Sequence, residues 1–163
     1  MGGSALAFLE ATVEDAPQIA ELLNAVILAR DGTALTMPVS VEEERRYLDA
    51  TLPRGWVLLA LRGTDLLGFQ SVQLFSGMLG EVGTYMAAQS RGQGIGRQLT
   101  ERTAETMRNR QVSCLLAEIA DANARGRRAY QSWGFRPARP GTVAALKSQP
   151  SEGKTYLELC LKG

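Results

Sequence analysis

The segment Arg91–Gly96 reads RGQGIG and lies between two stretches of different character. Residues 81–87, EVGTYMA, are rich in β-forming side chains and predict a strand. After the glycines, residues spaced four apart predict a helix to about residue 110; these are Ile95, Leu99, Thr103 and Met107. At such a junction, unpaired N–H groups meet the positive end of the helix dipole, and glycine lets a ligand approach the backbone. This arrangement is typical of a phosphate-binding site, although a tight turn without a ligand has the same glycine spacing.

The residues that follow the glycines disfavour two nucleotide-binding motifs. A P-loop has Lys and then Ser or Thr after its last glycine, whereas Arg97 and Gln98 stand there. A Rossmann fingerprint has a further glycine where this chain has Arg97, and it follows the first strand of its fold. The segment therefore predicts either another kind of phosphate site or a plain turn.

The residues before this segment predict one strand, two helices and a group of three strands. Residues 7–11 predict the first strand. Two amphipathic helices follow, ending near residues 30 and 48, and capping-box spacings predict their starts; these are Thr12 with Asp15 and Ser40 with Glu43. Short glycine-containing turns separate three β-forming segments, which predict an antiparallel meander over residues 56–62, 66–75 and 81–87.

The residues after the glycine-rich helix predict a second, shorter alternation of strands and helices. Residues 112–119 are predominantly apolar and predict a strand buried on both faces. Residues 123–133 predict a helix that Gly134 ends, and residues 135–139 and 155–161 predict strands on either side of a loop over 141–153. The order βααβββαβαββ predicts a mixed α/β domain, with a central sheet of six to seven strands flanked by about four helices.

Length and composition indicate one globular domain and exclude several kinds of chemistry. The 163 residues fit a single domain over 1–163, in which we expect residues 1–6 to be a flexible start. A net charge of +1 gives no basic surplus for nucleic-acid binding. The absence of histidine excludes Ser-His-Asp triads, Cys-His pairs and His-ligated metal sites, so a catalytic base must be a carboxylate, amine, phenolate or water.

The cysteines and the apolar segments indicate an intracellular, metal-free protein. Cys114 and Cys160 lack CxxC spacing and lie in apolar runs, so we expect reduced core residues and no metal. The longest apolar run, Trp56–Leu61, has only six residues, and the N-terminus lacks the pattern of a signal peptide. We therefore expect a cytoplasmic protein without a membrane partner.

Two motifs at the expected separation resemble those of the GNAT superfamily of acetyl-CoA-dependent N-acyltransferases. The first is Arg or Gln, two residues, Gly, one residue, then Gly or Ala, which Arg91, Gly94 and Gly96 match. The second is Asn, followed seven residues later by Tyr and then by Gly-Phe, which Asn123, Tyr130, Gly134 and Phe135 match. The N-terminal half, including Asn24–Val26, Pro38–Ser40 and Glu43–Arg45, is similar to phosphinothricin-acetyltransferase-like members, so the resemblance covers nearly the whole chain.

The resemblance implies a GNAT-type fold, acetyl-CoA as acetyl donor, a small amino-acid-like amine as acceptor, and a possible homodimer. It implies that the backbone of one strand end and of the glycine-rich turn, together with one asparagine, binds the cofactor; these are Tyr85, Met86, Ala87, Arg91, Gly92, Gln93, Gly94, Ile95, Gly96, Arg97 and Asn123. The arginines at 125, 127 and 128 could contact its 3′-phosphate, although such a cluster is more often solvated surface.

Two side chains are candidates for the proton transfers that acetylation of an amine requires. Glu81 lies ten residues before Arg91, where phosphinothricin-acetyltransferase-like proteins place a proposed base. A solvated strand-start carboxylate, or one that only binds the substrate ammonium, remains the alternative. The resemblance places the phenol of Tyr130 near the cofactor sulfur as general acid, while packing against Trp133 is its structural alternative.

Three functions remain open from the sequence. The first is acetylation of a small-molecule amine, for which the acceptor pocket needs closure by the loop at residues 31–38 and the loop after Gly141. The second is acetylation of a protein lysine or N-terminus, which needs an open groove. The third is a non-catalytic acyl-CoA sensor, which needs neither Glu81 nor Tyr130. Met37 and Tyr47 are candidates for the acceptor pocket or for ordinary packing.

Overall fold

The computed structural model describes residues 3–30, 33, 35–76, 78–147 and 149–162. Within these ranges the chain forms seven strands and five α-helices. The strands are β1 (Leu6–Glu10), β2 (Trp56–Arg62), β3 (Asp65–Phe75), β4 (Leu79–Met86), β5 (Cys114–Ala120), β6 (Arg136–Pro137) and β7 (Lys154–Cys160). The helices are α1 (Ala16–Leu28), α2 (Val41–Thr51), α3 (Ile95–Asn109), α4 (Ala124–Ser132) and α5 (Pro140–Leu146). None of the described helices is long and apolar enough to cross a membrane.

The strands form one sheet in the order β1-β2-β3-β4-β5-β7-β6, in which only β4 and β5 pair in parallel. This parallel pairing covers three residue pairs, from Leu79 with Cys114 to Glu81 with Leu116. β4 then continues along β3 as far as Met86, while its pairing with β5 has ended. The two strands therefore diverge and leave a gap in the middle of the sheet.

The apolar run of β2 explains why helices cover both faces of the sheet. Successive strand residues point to opposite faces, so an unbroken apolar run needs a core on each side. Leu58 and Ala60 join the cluster that includes Leu99 of α3, whereas Val57 and Leu59 join the cluster formed with α1 and α2. The six apolar residues thus place α3 and the α1–α2 pair on opposite faces.

The structure confirms the mixed α/β fold, the antiparallel meander of β2–β4 and both capping boxes. At the start of α2, the Ser40 hydroxyl accepts from the Glu43 N–H at 3.0 Å, and the Glu43 carboxylate accepts from the Ser40 N–H at 2.8 Å. This helix runs three residues beyond the predicted end at Leu48, until Thr51.

Several predictions were wrong in detail. The predicted loop after Gly141 contains the helix α5. Pro140 in its first turn has a φ that suits a helix, and the burial of Thr142 and Val143 stabilises the helix against the rest of the domain. The predicted strand over 135–139 pairs only at Arg136 and Pro137. Cys160 is exposed near the end of β7, although Cys114 is buried and both are free thiols as expected.

β1 begins one residue before the predicted start at residue 7, since Leu6 already pairs with Arg62. Met1 and Gly2 of the start expected to be flexible lie outside the described residues. So do Asp31, Gly32 and Ala34 of the first predicted substrate loop.

Candidate active site

A cavity of about 550 Å³ opens where β4 and β5 diverge. Its walls come from the second half of β4, the end of β5, the turn before α3 and one side of α4. Because the two central strands stop pairing at Glu81, the cavity penetrates the sheet between them. The fold thereby brings the two sequence motifs, which are some thirty residues apart, to one place.

The turn before α3 forms one end of the cavity. Gly92 and Gly94 both have a φ of +76°, a left-handed conformation that favours glycine, and a Cβ on either would meet no atom within 4 Å. The first bond of the helix joins the Gln98 N–H to the Gly94 carbonyl, so the N–H groups of residues 95–97 have no intrahelical partner. Open space over glycines at a helix N-terminus is the geometry that an anionic group such as a diphosphate requires.

The start of α3 is held tightly against the end of α4. A Cβ on Gly96 would lie 2.3 Å from Cζ2 of Trp133, so only glycine allows this approach. The Arg97 guanidinium donates from Nη2 to the Ser132 carbonyl at 2.7 Å, also across this contact. The third glycine of the motif therefore positions two helices rather than leaving space for a ligand.

The end of β4 forms a wall of the cavity through Tyr85 and Met86, but not through Ala87. The Ala87 N–H donates to the Leu67 carbonyl at 2.9 Å and so belongs to the sheet. Gln93 does not line the cavity either, and its side-chain Nε2 donates to the Gln89 carbonyl at 3.1 Å. The remaining predicted cofactor residues, Arg91, Gly92, Gly94, Ile95, Gly96, Arg97 and Asn123, all line the cavity.

Asn123 lines the cavity and also begins α4. Its Oδ1 accepts from the Gly126 N–H at 2.9 Å, which is an N-cap contact. Arg125 lines the cavity beside it, and so does Tyr47 on the opposite side. Met37, the other candidate for the acceptor pocket, is 74% exposed and is not among the lining residues.

Glu81 lies in the cavity wall at the last pairing position of β4 with β5. Burial raises the pKa of its carboxyl, and the nearby Glu118 carboxylate adds to this, while Lys147 opposes it. Lys147 forms an ion pair with Glu118, which also lines the cavity. A carboxylate whose pKa is raised is a stronger base than a solvated one, so Glu81 is suited to accept a proton from an amine.

Tyr130 combines packing with access to the cavity. Its ring meets Trp133 and Phe135 edge to face, with centroids 5.1 and 5.0 Å away, which is the structural role considered from the sequence. Its hydroxyl also lies 2.9 Å from Thr84 Oγ1 in the cavity wall. Burial strongly raises the pKa of the phenol, so the hydroxyl keeps its proton at neutral pH.

Sequence reasoning missed the polar residues around these two groups. Thr84 and Gln70 face each other in the register of β3 with β4, and Glu118 lies on β5. The signal for Gln70 was a polar side chain inside an apolar strand, but its partners depend on the strand register and on the position of α3. No local motif contains that information.

Comparison with known proteins gives two findings beside this geometry. A protein-family model described as the acetyltransferase (GNAT) family matches residues 25–135, more than half of the chain. A search of curated proteins found no match.

Several solved structures share the fold at low sequence identity. An N-acetyltransferase from Staphylococcus aureus Mu50 superposes with a TM-score of 0.81 at 20% identity, covering 98% of this chain and 100% of that one. A ribosomal-protein-alanine N-acetyltransferase from Brucella melitensis has a TM-score of 0.78 at 23% identity, covering 94% and 99%. A phosphinothricin acetyltransferase from Sinorhizobium meliloti, solved in complex with acetyl-CoA, has a TM-score of 0.79 at 16% identity, covering 95% and 88%.

Proposed function

This chain belongs to the acetyltransferase (GNAT) family, and we propose that it transfers an acetyl group from acetyl-CoA to the primary amine of a small, amino-acid-like molecule. One observation carries the proposal: a single cavity joins a glycine-rich helix start to a carboxyl with a raised pKa and a buried phenol. The phosphinothricin acetyltransferase that shares this fold supports both the donor and the class of acceptor.

The turn before α3 would hold the diphosphate of acetyl-CoA. The N–H groups of Ile95, Gly96 and Arg97 point from the helix start, and the glycines at 92 and 94 leave the backbone uncovered. The edge of β4 at Tyr85 and Met86 would hold the pantetheine arm, with Asn123 opposite. When bound, acetyl-CoA supplies an activated acetyl thioester whose thiol departs on transfer.

Glu81 and Tyr130 divide the proton chemistry between them. In the proposed mechanism, Glu81 takes a proton from the acceptor ammonium, which makes the amine nucleophilic, and its raised pKa keeps the carboxylate basic enough for this. Tyr130 holds a proton at its hydroxyl for the departing thiolate, because burial disfavours the phenolate. The two groups share one cavity, as a direct transfer requires.

Acetylation of a protein N-terminus is the second candidate function, because the Brucella melitensis relative acts on a ribosomal-protein alanine. The two functions differ in the size of acceptor that can enter beside Glu81 and Tyr47. A non-catalytic sensor would bind acetyl-CoA but release no thiol.

Thiol release from acetyl-CoA distinguishes these functions when it is measured with a panel of amines. The panel contains phosphinothricin, methionine sulfone, and peptides that begin with alanine or contain lysine. Release with the first two compounds supports the proposed function, whereas release with peptides alone supports the second candidate. Binding of acetyl-CoA in calorimetry without thiol release from any amine would contradict both transferase functions.

A further inference from the structure

A chain of hydrogen bonds connects Tyr130 to the interior of the protein. Its hydroxyl lies 2.9 Å from Thr84 Oγ1, and the Gln70 side chain donates from Nε2 to that same Thr84 oxygen at 3.0 Å. Nε2 of Gln70 also donates to Thr100 Oγ1 at 3.0 Å, and Thr100 Oγ1 donates to the Gly96 carbonyl at 2.9 Å. The chain thus runs from the phenol in the cavity to the first turn of α3.

A count of hydrogens gives the direction of the bonds at Gln70 and Thr100. Each hydroxyl has one hydrogen, and that of Thr100 goes to the Gly96 carbonyl, so Thr100 Oγ1 accepts from Gln70. The two hydrogens of the Gln70 amide then point to Thr100 and Thr84. Thr84 Oγ1 accepts from Gln70 and keeps one hydrogen of its own, which it can donate to the Tyr130 oxygen 2.9 Å away. With the bond in that direction, the hydrogen of Tyr130 is free to face the cavity.

Complete burial of the Gln70 side chain is unfavourable unless its amide forms hydrogen bonds. The residue is fully buried, and within the described part of the chain its Oε1 has no hydrogen-bond partner. A buried carbonyl oxygen without a partner destabilises a fold. A residue present only for packing at this position would be apolar, whereas Gln70 supplies both hydrogens that orient the two threonines.

We propose that Thr84 and Gln70 are positioning residues, which turn the Tyr130 hydroxyl so that its proton faces the reacting atoms in the cavity. This inference rests on the proposed role of Tyr130 as the proton donor. When the phenol O–H bond breaks and the thiol S–H bond forms, the phenolate accepts a hydrogen bond from Thr84. Such a bond to a charged oxygen is stronger than the neutral bond before transfer, so Thr84 assists the transfer itself.

The test compares Thr84→Val, which removes the hydroxyl at nearly constant shape, with Thr84→Ser, which retains it. In Thr84→Val we expect kcat to fall about 10- to 100-fold, which corresponds to a hydrogen bond to a charged group, while KM for acetyl-CoA changes less than about twofold. Thr84→Ser should recover most of the lost kcat. In a Tyr130→Phe background, Thr84→Val should have no further effect on kcat, because the group that it orients is absent.

Three readouts separate the failure of this inference from that of the proposed function. Wild-type kcat in Tyr130→Phe would overturn the role of the phenol itself. A slow Tyr130→Phe together with wild-type kcat in Thr84→Val would overturn only the positioning role. Gln70→Glu puts an acceptor where Thr84 now meets a donor and turns the threonine hydrogen away from Tyr130, so wild-type kcat in Gln70→Glu would overturn the assigned direction.

The ligand-free protein provides a readout other than activity. We expect Thr84→Val and Tyr130→Phe to lower the midpoint of urea unfolding, and the double variant to lower it by less than their sum, because both remove the same hydrogen bond. Calorimetry with coenzyme A should give Thr84→Val the wild-type affinity within about twofold. Additive midpoints would show that the Thr84–Tyr130 hydrogen bond is absent in solution and would overturn the inference.

Discussion

Two charged neighbours, one acidic and one basic, have opposite effects on the pKa of the Glu81 carboxyl. Burial and the Glu118 carboxylate raise the pKa of Glu81, and Lys147 lowers it. As the proposed base, Glu81 acts only when deprotonated, so kcat/KM should fall as the pH drops through this raised pKa. The acidic limb of the pH–rate profile therefore reports the balance between the two neighbours.

We predict opposite shifts of this acidic limb in two variants. Glu118→Gln removes a like charge and should move the limb of kcat/KM to lower pH, whereas Lys147→Met removes an opposite charge and should move it to higher pH. The measurement is kcat/KM for the acceptor amine between pH 5 and pH 9, with Glu81→Gln as the variant that loses the limb. Shifts in the same direction in both variants would exclude Glu81 as the titrating base.

The sequence predicted the residues that carry their signal locally, and it missed those that depend on pairing. The glycine-rich turn at the start of α3 was recognisable from its sequence motif, and the structure adds that Gly92 and Gly94 have left-handed φ values. Gln70 and Thr84 are fourteen residues apart and meet only through the register of β3 with β4. The backbone partner of Ala87, the Leu67 carbonyl, likewise depends on this pairing and could not be predicted from a local motif.

At the scale of helices and strands, the contact between α3 and α4 depends on one missing side chain. We predict that Gly96→Ala destabilises the protein by roughly 1–3 kcal/mol and weakens acetyl-CoA binding, because its Cβ would overlap Trp133 and push the start of α3 away from α4. Chemical denaturation and calorimetry measure the two effects. Gly141→Ala is the matched control, since its Cβ meets no atom within 4 Å in α5 and should not destabilise.

A second change identifies the cause of the loss in Gly96→Ala. Trp133→Phe removes the part of the indole that the new methyl group would meet, so the double variant should recover part of the lost stability. If the double variant is as destabilised as the sum of the two single changes, the contact with Trp133 is not the reason for the glycine.

The buried carboxylate of Glu158 joins β7 to α5 and to β5. Burial opposes its ionisation, but donors from Arg139, Cys114 and Thr142 outweigh this and lower the pKa of Glu158 to about 2. A carboxyl whose pKa is lower in the folded than in the unfolded state stabilises the fold above the unfolded value. That stability is lost as the pH falls through the folded value, here between about 5 and about 2.

We predict that Glu158→Gln loses about 1–3 kcal/mol of unfolding free energy at pH 7, because its donors lose a charged acceptor. The difference from the wild type should shrink as the pH falls from about 5 to about 2, since the wild-type carboxylate then becomes protonated. Urea unfolding over a pH series measures this, with the exposed Glu152→Gln as control. A difference independent of pH would contradict the assigned ionisation.

Elements with their own start signals were predicted well, and short elements that depend on neighbours were not. Ser40 and Glu43 form a complete local cap, so the start of α2 was readable from the sequence. The segment with Pro140 and Gly141 has the composition of a turn, yet it forms α5 because Thr142 and Val143 become buried. β6 contains only Arg136 and Pro137, although the Ala138 N–H also donates to the Tyr156 carbonyl of β7 at 2.9 Å.

For the whole molecule, we predict that acetyl-CoA raises the melting temperature. A ligand at one hundred times its Kd stabilises the native state by about 2.7 kcal/mol, which for a chain of this size corresponds to roughly 5–10 °C. Differential scanning fluorimetry measures the shift. Acetyl-pantetheine lacks the diphosphate that the turn at Gly92 and Gly94 would bind, so at equal concentration it should give a much smaller shift. Equal shifts would exclude this turn as the diphosphate site.

The short pairing between β4 and β5 divides the sheet into two groups of strands. The first group contains the four strands β1–β4, and the second contains the three strands that follow α3 in the chain. Because only three residue pairs join the two groups, we expect local opening of the sheet to be easiest where β4 and β5 diverge. A molecule bound between the two groups would contact both and couple their unfolding. A ligand bound in this gap should therefore increase the rigidity of the sheet.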